Sequence, residues 1–218
     1  VLLVNAAIAD ENDDIMLVTA GGRAIRFPTT EIRVFKSRGS TGVRGIRLGE
    51  GDKVVSMSII RHFEADPDER AAYLKQRRLM AGAVEDDSES DEEDEAAGQG
   101  QLSPERYAEM SAAEDLILTI TTSGSGKLSS SHDYPVRGRG GMGVKAMDGA
   151  MRGGPLVASF MVELTDQIML ATSTGQSIRV PVEQISFRSR SAGGVKVFNT
   201  GGGEEVVSVA RVAEQADE

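Results

Sequence analysis

Cysteine and tryptophan are both absent from this chain of 218 residues. Without cysteine there is no disulfide framework and no thiolate metal site, which fits a reducing compartment. Aromatic residues amount to 4% against 39% hydrophobic overall, so a core must rest on Val, Ile, Leu and Met. No apolar run approaches the roughly 20 residues that span a bilayer, and no membrane partner is expected. The chain opens Val1-Leu2-Leu3-Val4-Asn5, with neither an initiator Met nor a positively charged leader. It reads as a strand belonging to a longer protein, not as a signal peptide. Proline is scarce (6) and glycine plentiful (25), the balance of an all-β fold with many tight turns.

The glycines recur with a period. Gly22, Gly124 and Gly175 each follow a short apolar strand: Ile15-Met16-Leu17-Val18, Leu116-Ile117-Leu118-Thr119 and Ile168-Met169-Leu170-Ala171. The Gly-Val pairs at Gly42, Gly143 and Gly194 come 20, 19 and 19 residues later. A closing strand follows each, at Val54-Val55-Ser56-Met57, Leu156-Val157-Ala158-Ser159 and Val206-Val207-Ser208-Val209. The later two units are 51 residues apart and the first two 101 apart, so about one repeat length is inserted between those. Four short strands in a repeat of this length describe a propeller-like blade, which buries both faces only by stacking on neighbours. The expected division is 1–8 as the last strand of a preceding blade, 9–63 a blade, 64–113 an insert, 114–163 and 164–213 two further blades, and 214–218 a tail. Three blades do not close a ring, so more blades are expected before these.

Helix signals appear only in the insert. Asp66 is placed to N-cap a helix with Pro67 at its first position and Glu69 closing a capping box, running to about Ala81. Ser103-Pro104-Glu105 starts a second, shorter helix. Between them, Glu85 to Glu95 holds nine acids in eleven residues, a composition that cannot form a core and is expected to be disordered. That run reads as a solvated tether or as a competitor for the basic surface described next.

Charge is segregated. The chain carries net −10, yet the stretch from Glu64 to Asp115 alone carries −12 and the rest +2. Within that remainder the bases bunch in equivalent places. Arg33, Lys36, Arg38, Arg44 and Arg47 occupy 33–47, and Arg137, Arg139, Lys145 and Arg152 occupy 137–152. Arg188, Arg190 and Lys196 occupy 188–196, and only Asp148 opposes the whole set. Stacked blades would align these loops as a stripe along the rim, an electrostatic footprint for nucleic acid. Gly and Ser between the bases let backbone approach phosphate. Only Phe35, Tyr134 and Phe187 lie near the loops, too few aromatics for stacking on single strands, so duplex DNA is the expected ligand. The expected contacts are Lys36, Arg38, Arg44, Arg47, Arg137, Arg139, Lys145, Arg188, Arg190 and Lys196. Lys127, in Ser123-Gly124-Ser125-Gly126-Lys127, is expected in a hairpin turn that adds to the rim.

No catalytic or cofactor constellation is found. His62 and His132 lack ligand-spaced partners, and Asp13-Asp14 and Asp86-Asp87 lack a coordinating frame. Gly138–Gly143 has no Gly-Lys-Ser/Thr and no following helix, so it is no nucleotide loop. A rival reading is a propeller-like scaffold whose basic rim holds acidic proteins.

The string Thr41-Gly42-Val43-Arg44-Gly45-Ile46-Arg47-Leu48-Gly49-Glu50-Gly51-Asp52-Lys53-Val54-Val55-Ser56 closely resembles the C-terminal domain of DNA gyrase A subunits. So do Asp166-Gln167-Ile168-Met169-Leu170, Gly175, Ile178-Arg179 and Arg211-Val212-Ala213-Glu214. The resemblance covers the three blades and ends at the insert. It implies a β-pinwheel, a six-bladed relative of the propeller whose blades exchange a strand, of which this chain would be the last three. It implies a domain that wraps duplex DNA on its basic perimeter inside a bacterial, cytoplasmic type II topoisomerase. That enzyme is an A2B2 assembly with a gyrase B subunit and a second gyrase A chain, and it introduces negative supercoils with ATP and Mg held by the B subunit. The family's wrapping box, Gln-Arg-Arg-Gly-Gly-Lys-Gly, belongs to the first blade. Arg137 to Gly143 resembles it at Arg139, Gly140, Gly141 and Gly143 but departs at Gly138 and Met142. Gln76-Arg77-Arg78 imitates its start on the insert helix. The nucleophilic tyrosine belongs to the family's core, and Tyr73, Tyr107 and Tyr134 lack its basic surroundings. The related subunit of topoisomerase IV, with shorter and more degenerate blades, is the alternative within the same class.

Overall fold

The computed structural model describes residues 3–80, 101–147 and 153–213. Each repeat begins as a hairpin: β1 (Asp13–Thr19) with β2 (Arg23–Pro28), β4 (Leu116–Thr121) with β5 (Ser125–Ser130), and β8 (Gln167–Thr172) with β9 (Ser177–Pro181). The hairpins turn at Gly22, Gly124 and Gly175, all at positive φ (83°, 77° and 86°), where a side chain would be strained. In each turn a threonine hydroxyl accepts the amide four residues on, Thr19 from Arg23, Thr121 from Ser125 and Thr172 from Gln176, all at 3.2 Å. The closing strands β3 (Val54–Arg61), β7 (Leu156–Val162) and β11 (Val206–Val212) pair antiparallel with β1, β4 and β8. They also meet one another, β3 against β7 and β7 against β11, so they form the hub.

The outermost strands come from elsewhere. β6 (Val144–Lys145) lies in the second repeat but pairs with β2 of the first, and β10 (Val195–Lys196) lies in the third but pairs with β5 of the second. The sheet orders are therefore β3-β1-β2-β6, β7-β4-β5-β10 and β11-β8-β9. The second and third repeats thus hold four strands each and the first repeat three, and the four-stranded sheets of the first two blades are each completed by a strand from the next repeat, the exchange that the resemblance implies. Exchange explains two glycines. A Cβ at Gly143 would strike the Ala24 carbonyl, and one at Gly194 would lie 2.8 Å from the Gly126 amide, so only glycine lets the donated strand close on its neighbour.

Two cores lie between repeats. Met16, Val18 and Ile60 of the first pack with Ile117, Tyr134, Ala146 and Leu156 of the second. Leu118, Ile120 and Leu128 of the second pack with Ile168, Leu170, Val182 and Val206 of the third. Tyr134 is fully buried, with its hydroxyl 3.0 Å from Ser129 Oγ, and burial pushes its pKa up to about 12.

Residues 3–10 run as irregular chain, with Leu3 and Ile8 exposed and the Asn5 side chain donating to the Met57 carbonyl at 3.0 Å. One expectation is corrected. Lys127 is not on the rim. It is fully buried, and its Nζ donates to the carbonyls of Ser189, Arg190 and Ala192, so its charge is spent on the loop of the next repeat.

The insert forms α1 (Pro67–Met80) and α2 (Pro104–Ala112). The capping box is formed: Glu69 N–H donates to Asp66 Oδ1 at 2.8 Å and Asp66 N–H to Glu69 Oε2 at 3.2 Å. Arg106 on α2 grips Glu69 on α1 through Nε and Nη2, at 2.8 and 3.0 Å. The pair docks on a 3-10 turn (Ser131–Asp133) through buried Tyr73, whose ring packs edge-on to His132, while His132 Nε2 lies 2.8 Å from the Met110 carbonyl. The expected disorder of 85–95 lies outside the described residues, as does Arg152.

Burial holds the His132 pKa below its ordinary value. A neutral imidazole therefore stabilises the docked insert, and the sign follows from linkage. That stability is fully present above the unfolded-state pKa of about 6.5 and is lost as pH falls below it. Thermal unfolding between pH 7.5 and 5 should show a drop in midpoint that shrinks in His132→Asn. An equal drop in both proteins would remove His132 as the cause.

Candidate nucleic-acid interface

Each β9-equivalent strand runs into a short 3-10 turn: Thr29–Glu31, Ser131–Asp133 and Val182–Gln184. From the second and third turns the chain crosses to the preceding sheet. Val136 bridges Arg26 and Phe187 bridges Leu128, both in parallel sense. The first base of each loop is then held by its own backbone, Arg137 N–H to the Arg26 carbonyl and Arg188 N–H to the Leu128 carbonyl, both 2.8 Å. Arg137 is exposed and Arg188 half-buried. At the far end Lys145 pairs with Arg23, and Lys196 with Ser125. Lys196 is exposed and its Nζ donates to the Ser123 carbonyl at 3.2 Å.

The middle arginine does something different. Arg139 N–H donates to Glu31 Oε2 (2.8 Å), its Nε to the Glu31 carbonyl (3.0 Å) and its Nη1 to the Arg44 carbonyl (3.2 Å). Arg190 repeats the pattern one blade on: N–H to Asp133 Oδ2 (2.6 Å), Nε to the Asp133 carbonyl (2.8 Å) and Nη1 to the Lys145 carbonyl (2.5 Å). Each arginine thus clips the last residue of the preceding 3-10 turn to the preceding basic loop. Arg190 is only 3% exposed, with Asp133 Oδ1 3.6 Å from Nε. The expectation that Arg190 reaches solvent as a ligand contact is corrected: its charge is consumed between blades. Arg139 stays exposed, but two of its guanidinium nitrogens are engaged.

The clips string the loops together. Gly140 N–H donates to the Gly45 carbonyl and Arg47 N–H to the Gly141 carbonyl, at 2.5 and 2.8 Å. The first loop therefore abuts the second, and the second touches the third through Lys145 and Arg190. Lys36, Arg38, Arg44 and Arg47 all lie on the first loop, and all four are exposed there, with no inter-blade clip among the described residues. The outcome is one continuous basic run along the outer edge, with the outward charge borne mainly by the first and last bases of each loop.

His62 Nδ1 lies 2.8 Å from Asp14 Oδ1, and Asp14 Oδ2 accepts from Arg26 Nε at 2.7 Å, a mostly buried network that ties β1 to β2. Among the described residues no group of three or more His, Asp or Glu is placed to hold a metal ion. No described helix is long and apolar enough to cross a membrane.

Sheets stacked about a hub, the first two closed at the rim by a strand from the next repeat, define the exchanged-strand class of propeller-like folds. More specifically, the chain belongs to the DNA gyrase C-terminal domain, beta-propeller family, whose family model matches residues 13–61, 115–158 and 166–213. It is 44% identical to the DNA gyrase A protein of Granulibacter bethesdensis over 97% of this chain and 24% of that protein. It is 38% identical to that of Rickettsia bellii over 99% and 24%. The chain thus spans about a quarter of the length of these curated relatives. In fold it is similar to the C-terminal domain of DNA topoisomerase IV, with a TM-score of 0.64 and 20% identity over 96% of this chain and 49% of that one. It is also similar to the E. coli ParC C-terminal domain, with a TM-score of 0.54 and 12% identity over 95% and 66%.

The division among bases has a stability signature. Arg190→Ala leaves Asp133 facing an emptied site and should cost roughly 3–5 kcal/mol, as for removal of one partner from a buried pair. Arg44→Ala, at an exposed position, should change stability by no more than about 0.5 kcal/mol. Chemical denaturation of the two variants measures both, and equal effects would contradict the division.

Proposed function

We propose that this chain is the DNA-binding and DNA-wrapping part of a DNA gyrase A protein, acting on duplex phosphates. The observation that carries the reading is the continuity of the three basic loops along one outer edge. Lys36, Arg44, Arg47, Arg137, Lys145, Arg188 and Lys196 supply its outward charge, with Arg139 contributing what its clip leaves over. Cations beside phosphates release condensed counterions, so binding is strong, salt-dependent and indifferent to sequence. A curved row of cations favours a bent duplex, since the additional phosphate pairings offset the bending cost. In the holoenzyme, wrapping presents a segment of DNA to breakage-reunion machinery carried outside this chain. A second gyrase A chain and the gyrase B subunit, using ATP and Mg, complete an isomerase that introduces negative supercoils. The setting is the bacterial cytoplasm, at the nucleoid.

The test separates DNA wrapping from a scaffold for acidic proteins. Random duplexes of increasing length should show a minimum length for tight binding. In Arg137→Ala/Lys145→Ala the slope of log affinity against log salt should shrink by about 2, near 0.9 for each phosphate pairing removed. Binding without a length threshold, or a slope unchanged in the double variant, would leave the scaffold reading in its place.

A further inference from the structure

We propose that Lys127 is a positioning residue for duplex binding. Its buried ammonium draws the middle of the third basic loop down onto the second blade and so fixes where Arg188 and Lys196 stand at the rim. This role rests on the DNA reading of that rim, and it belongs to a side chain that is itself 0% exposed and out of reach of a phosphate.

The third loop spans one strand. Its ends are held by backbone: Arg188 N–H donates to the Leu128 carbonyl at 2.8 Å, and Val195 and Lys196 pair with Gly126 and Ser125. Lys127 lies on β5 between those anchors. Its Nζ donates to three carbonyls of the span, those of Ser189 at 2.9 Å, Arg190 at 2.5 Å and Ala192 at 2.5 Å. An ammonium carries three donors, and hydrogen bonds from an ionised donor are about twice as strong as neutral ones. The middle of the loop is accordingly sunk. Arg190, Ser191 and Ala192 are 3%, 6% and 0% exposed, while Lys196 is exposed and Arg188 half-buried at the ends.

The second loop shows the same position without an ammonium. Ile25 of β2 stands where Lys127 stands in β5, and its Cδ1 lies 3.7 Å from where a Cβ on Gly141 would be. An apolar side chain offers the loop's carbonyls no donor, and the middle is tied sideways instead. Gly140 N–H donates to the Gly45 carbonyl, and the Gly141 carbonyl accepts from Arg47 N–H. Gly141 and Met142 stay exposed. Gly141 and Ala192 are equivalent residues, so one carbonyl position serves a neighbouring loop in one repeat and the buried lysine in the other. The third loop is thus held from below, by a cation that the other hairpins replace with Ile25 and Ile178.

Duplex binding by the full-length polypeptide, measured across salt concentrations as a double-mutant cycle, tests this. Lys127→Ile introduces the residue of the equivalent strands. It should lower the slope of log affinity against log salt by about 2, near 0.9 for each of two phosphate pairings. Arg188→Ala/Lys196→Ala should lower it equally, and adding Lys127→Ile to that pair should lower it no further. A reduced thermal midpoint with an unmoved slope would make Lys127 a packing residue only and overturn the proposal. An equal fall in both backgrounds would mean that Lys127 acts on DNA through its own charge, and would overturn it too. If Arg188→Ala/Lys196→Ala leaves the slope unmoved, the DNA reading of this loop fails, and the role of Lys127 with it. Amine acetylation of the unaltered full-length chain requires no variant to fold. Lys196 should be modified and Lys127 spared, and modification of both at one rate would overturn the caged ammonium.

Discussion

An unpaired outer strand is the constraint on which the rest of this molecule depends. A sheet of three strands, hub to rim, leaves the amides and carbonyls of its last strand open, an edge that invites wrong pairing. β2 and β5 escape this because the following repeat lays a two-residue strand on each. Only two residues are needed, because the arginine clip and the bridge at Val136 or Phe187 hold the rest of the loop down. No repeat is then complete by itself, and stability passes from blade to blade as in other repeat proteins. The basic stripe is a consequence: the segment that closes a neighbour's edge is necessarily on the outside, where its remaining side chains face solvent.

Charge is accordingly used in two ways, and burial separates them. Lys127, Arg190 and Arg26 are positive but inaccessible, and each donates to carbonyl oxygens. Arg26 alone joins Asp14, the Ser131 carbonyl and the Arg61 carbonyl, spanning two repeats. Buried pairs of this kind add little net stability over apolar packing, but breaking one is costly, so they enforce the spacing of the blades. Arg44 and Arg47, by contrast, are exposed. A net charge of −10 conceals this arrangement, since the stretch from Glu64 to Asp115 alone carries −12.

The repeat, its hairpin glycines and the two capping signals of the insert are legible in the sequence because each has a local cause: a positive φ at Gly22, an Asp66 side chain reaching Glu69. Strand exchange is not legible in periodicity, since a Gly-Val-Lys segment has the same spacing whichever sheet receives it; it enters only through family resemblance. The roles of the arginines are hidden for a related reason. Glu31 and Asp133 each stand just before one basic run but accept from the arginine of the following one, 108 and 57 residues on, so a window opened at that run counts the cation and omits its acceptor. Lys127 misleads because a lysine after Ser-Gly in a hairpin looks exposed. Its counterparts in the equivalent strands, Ile25 and Ile178, show the position to be apolar in the other repeats, which is the signal that it points inward.

The placement of the insert follows from the same geometry. It leaves the hub strand β3 and returns to β4, at the end of the sheets where the 3-10 turns lie, so lengthening it disturbs no strand pairing. Once there, the helices are not idle. Tyr73 and Met110 are fully buried against the His132 corner, which is the turn that ends in Asp133. Arg77 of α1 pairs with Glu114 at 3.2 Å and stacks 4.7 Å from the Phe187 ring, one residue before Arg188. The insert therefore grips both sides of one exchange, the turn that gives the carboxylate and the loop that brings the arginine. An element added between two blades has become a brace for the junction of the next two, and any force on its helices is transmitted to the spacing of the outward bases.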